Sequence, residues 1–121
     1  MGFGAAPRVS LDQTRITPQR ALMGGRVEIA FVVTNTDSRR QRILVDFRIH
    51  FVKANGKTVP KVFKLKALDL GPREGVSIAK SVSLAEMTTR KHYPGTHAVD
   101  VVVNGVAVEL GTFELERDPT I

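Results

Sequence analysis

The feature that most constrains this chain is a two-residue alternation of apolar and polar side chains that recurs from Val9 to Leu115, with no sustained helical period. Val27, Ile29, Phe31 and Val33 fall on one side of an extended segment, with Glu28, Ala30, Val32 and Thr34 on the other. The stretch from Ile43 to Lys53 repeats the pattern, setting Val45, Phe47, Ile49 and Phe51 against Asp46, Arg48 and His50. Val76, Ile78, Val82 and Leu84 alternate with Ser77, Ala79, Ser81 and Ser83. His97, Val99, Val101 and Val103 then lead into Asn104-Gly105, from which Val106, Val108 and Leu110 return. A period of two places every second side chain on the same face, so each segment buries one face and wets the other. Together with Val9 and Leu11 this makes about seven strands, punctuated by Gly, Asn, Asp and Pro clusters and lacking any crossover helix. The reading is all-β: an immunoglobulin-like antiparallel β-sandwich, with a small β-barrel as the alternative architecture.

Two Asn-Gly pairs set the expected registers, because a type I′ turn needs positive φ at both central residues. At Asn104-Gly105 a two-residue turn pairs Val101 with Val108 and Val99 with Leu110. The parity slips beyond Gly111, which predicts a bulge there. At Asn55-Gly56 the same turn pairs Phe51 with Pro60 and Ile49 with Val62, which drives Phe63 and Leu65 onto the polar face. That conflict predicts a bulge near Pro60, or a chain that crosses to the other sheet there.

With 121 residues, 42% of them hydrophobic and 25% charged, the chain supports one domain with its own core. The expected boundaries are 8–116 for the sandwich, with a flexible segment at 1–7 and a tail at 117–121. Cysteine is absent, which excludes disulfides, thiolate nucleophiles and Cys-ligated metals. No apolar run approaches the ~18 residues of a membrane span, and no signal-peptide pattern opens the chain. The expectation is a cytoplasmic monomer that makes no membrane contact.

Charge is the feature with functional content. Between Ser38 and Lys66 lie nine basic residues and one acidic residue, net +8, so with +6 overall the remainder of the chain carries −2. On alternating strands Arg48 and His50 are expected to share a face with Lys61, and Lys64 with Lys66, while Lys53 and Lys57 flank the turn. A row of this kind meets what phosphate contact requires, and the expected partner is the backbone of duplex DNA. Base stacking is not expected, because Phe47, Phe51 and Phe63 have core parity. The competing explanation is that exposed strands carry lysine to block edge pairing. Lys80 breaks the apolar parity of its strand. It either escapes to water at a bulge or edge, or joins Arg90, Lys91 and His92 in a second basic patch. His50, His92 and His97 lack carboxylates at ligand spacing, so no metal or other cofactor is expected. Ser81, Ser83, His97 and Asp100 lack any nucleophile-presenting turn, and no catalytic residue is assigned.

The strings Leu70-Gly71-Pro72-Arg73-Glu74-Gly75-Val76 and Tyr93-Pro94-Gly95-Thr96-His97-Ala98-Val99 resemble bacterial Ig-like modules. His97 stands where such modules place a corner tyrosine, and its ring N–H can serve a nearby carbonyl in the same way. A longer resemblance rests on His50-Phe51-Val52-Lys53-Ala54-Asn55-Gly56, Pro60-Lys61-Val62-Phe63-Lys64-Leu65-Lys66, Thr88-Thr89-Arg90-Lys91-His92-Tyr93-Pro94-Gly95 and Val102-Val103-Asn104-Gly105. These are similar to the C-terminal extension of bacterial DNA alkylation repair proteins. In that family an N-terminal array of HEAT-like helical repeats is the DNA glycosylase, with its catalytic Asp and DNA-facing Trp residues in the helical half. The resemblance implies a non-catalytic accessory domain with duplex DNA or the helical-repeat domain as partner. An interaction or docking module without nucleic-acid contact is the alternative, and an independent hydrolase or metalloenzyme a third class with no motif behind it.

Overall fold

The computed structural model describes residues 8–85 and 92–117. Among them are eight strands: β1 (Val9–Thr17), β2 (Arg20–Leu22), β3 (Arg26–Asn35), β4 (Gln41–Val52), β5 (Thr58–Leu70), β6 (Gly75–Ser83), β7 (Gly95–Val103) and β8 (Val106–Glu116). They form a three-stranded sheet ordered β1-β3-β6 and a five-stranded sheet ordered β2-β8-β7-β4-β5. Every pairing is antiparallel except the short one between β2 and β8. β2 is the strand that apolar alternation missed. It spans three residues, and only Ala21 turns inward, too few for a period to show.

The core lies where the alternation placed it. Val27, Ile29, Phe31 and Val33 of β3 face Val45, Phe47 and Ile49 of β4 and Val99, Val101 and Val103 of β7 across the sandwich, all at most 2% exposed. β1 lies against β8 and β2 against β3, so the edge strands β6 and β5 share the opposite, open side. Where β1 and β8 diverge, Thr14, Arg15, Ile16, Gln19, Leu110, Gly111 and Thr112 line a cleft of about 180 Å³, smaller than the ~300–1,000 Å³ typical of ligand pockets.

The two hairpins depart from the expected registers in instructive ways. Asn104 and Gly105 both have positive φ, 49° and 82°, and the tight turn pairs Val103 with Val106 and Val101 with Val108 as expected. The bulge comes one residue earlier than expected: Val99 pairs with Gly111, leaving Leu110 as the extra residue. At the other Asn-Gly only Gly56 has positive φ, 81°. Its N–H donates to the Lys53 carbonyl at 2.9 Å, and Lys53 N–H donates to the Lys57 carbonyl at 2.8 Å. This is a three-residue loop, a type I turn closed by a left-handed glycine. Phe51 therefore pairs with Val59, Ile49 with Lys61 and Phe47 with Phe63. The one-residue change returns Phe63 to the inner face, where its ring stacks on Phe47 at 4.8 Å. No bulge forms at Pro60 and the strand never leaves β4. The irregularity falls at Leu65, between Asp46↔Lys64 and Val45↔Lys66.

Asn35 ends β3 as a fully buried polar side chain. Its amide donates to the carbonyls of Arg39, Leu70 and Gly71 at 2.8–3.0 Å, and its Oδ1 accepts from Asp37 N–H at 2.8 Å. It bolts the β3–β4 loop to the β5–β6 turn, a role the sequence showed only as a turn-forming residue.

Candidate nucleic-acid interface

Cross-strand partners share a face, so the registers decide where each cation points. On β4, Arg48 and His50 lie on the outer face of the five-stranded sheet, opposite Val62 and Pro60 of β5 and opposite Asp100 and Ala98 of β7. Lys61 pairs with Ile49 and so has the parity of the inner face, contrary to the expectation that it joins Arg48 and His50. Lys64 stands on the outer face opposite Asp46. Lys66, past the Leu65 bulge, has inner parity opposite Val45, so Lys64 and Lys66 do not share a face either. The physical reason is the same in both cases: one added residue in a strand or its loop reverses all subsequent side chains.

These lysines nevertheless remain exposed, because β5 is an edge strand at the open side of the sandwich. Lys61 Nζ sits over the Phe63 ring, 5.7 Å from its centroid, a cation–π contact that leaves the ammonium wet. Lys53 and Lys57 flank the three-residue loop that opens the strand. From Lys53 to Lys66 there are five lysines and no carboxylate. Among the described residues, none of the ion pairs uses a lysine. The arrangement is a cationic edge rather than a cationic wall.

The outer face of the five-stranded sheet has a different character. By register it carries Arg20, Arg42, Arg48 and Lys64, but also Asp46, Asp69, Asp100, Glu109, Glu114 and Glu116. Arg48 and His50 are both engaged by one carboxylate. Arg48 Nε donates to Asp100 Oδ2 at 3.0 Å and His50 Nε2 donates to the same oxygen at 2.7 Å. Burial on its own would raise the Asp100 carboxyl. The hydrogen bonds from His50 and Arg48, and then their charges, outweigh it and hold the group below the usual carboxylate range. Sequence reading weighed Asp100 only as a triad member; the β4–β7 register, which no local motif specifies, makes it the hub of this cluster.

Lys80 pairs with Ile29 in an unbulged β6 and is exposed. The bulge explanation therefore falls away, and an inward-parity lysine reaches water from a sheet edge. Arg90 and Lys91, the partners considered for it, lie outside the described residues, as do 1–7 and 118–121. His97 donates from Nδ1 to the Gly95 carbonyl at 3.1 Å, the bond expected of a residue replacing a corner tyrosine.

Two packed antiparallel sheets with these connections define an immunoglobulin-like β-sandwich domain. A β-glucosidase from Erythrobacter marinus has this fold at 13% identity and a TM-score of 0.73, over 91% of this chain and 16% of that one; at that identity the likeness is one of fold alone. The chain belongs to the family described as "Uncharacterised protein YhaZ, C-terminal Ig-like domain", whose model matches residues 10–117. The uncharacterized protein YhaZ of Bacillus subtilis (strain 168) is 33% identical over 104 residues, 86% of this chain and 29% of that protein. The Pseudomonas fluorescens alkylpurine DNA glycosylase AlkC, solved bound to DNA containing an abasic site analog, matches at 41% identity. Its TM-score is 0.86, over 96% of this chain and 32% of that one. The chain thus spans about a third of the length of these two relatives.

Proposed function

We propose that this domain is a non-catalytic accessory module of a DNA alkylation repair protein and helps to hold duplex DNA by its phosphates along the β5 edge. The observation that carries the reading is the run of five lysines from Lys53 to Lys66, which lacks both a carboxylate and a lysine ion pair among the described residues. Lys61, Lys64 and Lys66 sit on a strand whose outer backbone edge is open to a partner, and Lys53 and Lys57 flank the loop that leads into it. Phosphate contact needs positive charge within reach rather than a specific constellation, and lysines fanned about an edge supply it. That AlkC was solved with DNA supports the context. Titration with a short duplex should give weak binding whose logarithm falls linearly with the logarithm of salt. Charge reversal at Lys61, Lys64 and Lys66 should reduce that slope by up to about 3, each phosphate contact contributing ~0.9. Absence of binding at ~50 mM salt would discard the reading.

A second reading has its own observation. Leu44 and Val62, on the outer face of β4 and β5, are 56% and 53% exposed, apolar area that a docking module would bury against the helical-repeat domain. Added helical-repeat domain that left the NMR signals of these residues in place would count against it.

A further inference from the structure

The His97 side chain, which the DNA-binding reading does not use, is fully buried. Its ring meets Phe51 edge-on at 5.6 Å and 88°, and lies tilted over Phe113 at 5.2 Å. A carbonyl only accepts, so the bond to Gly95 places the proton on Nδ1 and leaves a lone pair on Nε2. Nε2 is buried and has no hydrogen-bond partner among the described residues. His92, itself 3% exposed, packs on the same Phe51 at 5.3 Å. Among the described residues the titratable groups whose charge reaches His97 are His92, ahead of β7, and Glu114 on the outer face of β8; β4 presents the uncharged Phe51.

We propose that His97 is an acid-sensitive latch on the entry to β7. A proton arriving on Nε2 creates a buried cation whose new N–H has no acceptor among the described residues, so the corner from His92 through Gly95 opens while the centre of the five-stranded sheet stays paired. An uncompensated buried charge is among the costliest changes a fold can meet, and local opening relieves it without global unfolding. Desolvation is the main cause holding His97 below the ordinary histidine range; His92 adds to it, and the Gly95 carbonyl and Glu114 oppose it. With the folded-state value depressed, the neutral latch is complete above the unfolded value near ~6.5 and weakens as pH falls below it.

The test is amide hydrogen exchange, expressed as protection factors, together with imidazole ¹⁵N shifts between pH 7.5 and 5.0. His97 should show the Nδ1–H tautomer at neutral pH. Protection at His97 and its partner Phe113 should fall by up to about tenfold per pH unit below ~6.5, with Val45 and Ile49 unchanged. His97→Phe should abolish that dependence, and His97→Gln serves if the phenylalanine variant does not fold. Titration of His97 at or above 6.5 with protection intact to pH 5.0 would overturn the proposal, as would an unchanged acid opening in either variant.

Discussion

The molecule contains the same dipeptide at the tips of two hairpins and folds it in two ways. Asn104-Gly105 forms a two-residue turn with both residues at positive φ, and Asn104 is drawn into the sheet: its Oδ1 accepts from Leu44 N–H at 2.8 Å and its own N–H donates to the Leu44 carbonyl at 3.0 Å. Asn55-Gly56 closes a three-residue loop in which only the glycine is left-handed, and Asn55 Oδ1 accepts from Lys57 N–H at the surface. What lies behind each turn decides the difference. The first joins β7 to β8, whose Val99, Val101, Val103, Phe113 and Leu115 are almost wholly buried. The second leads into β5, where Leu70 alone is fully buried. A hairpin in the core admits one register, whereas a hairpin at an edge can take the loop that best seats a single aromatic, Phe63 on Phe47.

The comparison is most sharply tested by cutting the aromatic from each hairpin. Phe113→Ala should cost about 3–5 kcal/mol in urea denaturation, and Phe63→Ala distinctly less because its ring is only half buried. Next in size, Asn104→Ala removes both the side chain that tolerates positive φ and the acceptor for Leu44 N–H, for a loss of about 1–3 kcal/mol; Asn55→Ala, at negative φ and exposed, should cost under ~1 kcal/mol. The pH limb follows. Because the folded Asp100 is depressed, its contribution is complete above the unfolded value near 3.8 and is lost as pH falls through the folded one. Asp100→Asn should therefore flatten the acid side of a stability-versus-pH curve. The smallest effect belongs to deletion of Ala54. It leaves a two-residue Asn-Gly loop with Val52 still opposite Thr58, so stability should change by about 1 kcal/mol at most and the Phe47–Phe63 contact should persist. A deletion that displaced Phe63 would show that the loop, and not the aromatic, dictates the register.

This comparison also explains how far the residues could be read in advance. The two-sheet architecture and nearly every core position were legible, because burial on one face imprints a period of two on β3, β4, β6 and β7. Pairing registers were legible only where the apolar pattern runs unbroken to the turn, as at Val101 and Val108. At β5 the pattern is interrupted by Pro60, Lys61 and Lys64, and nothing local distinguishes a two-residue loop from a three-residue one. The lysines of the candidate interface were found by composition, but the faces they occupy were not. The Asn35 bolt and the Asp100 hub depend on contacts between distant strands that no string of neighbours encodes.

Leu65, one supernumerary residue, acts on β5 like a half-turn put into a ribbon. Without that half-turn the ammonium groups of Lys64 and Lys66 would share a side; with it Lys61, Lys64 and Lys66 emerge alternately above and below the strand. Positive charge therefore borders this edge of the molecule at both its front and its back, and on the proposed reading a duplex held there could tilt without losing contact in a way that a flat plate of charge would not allow.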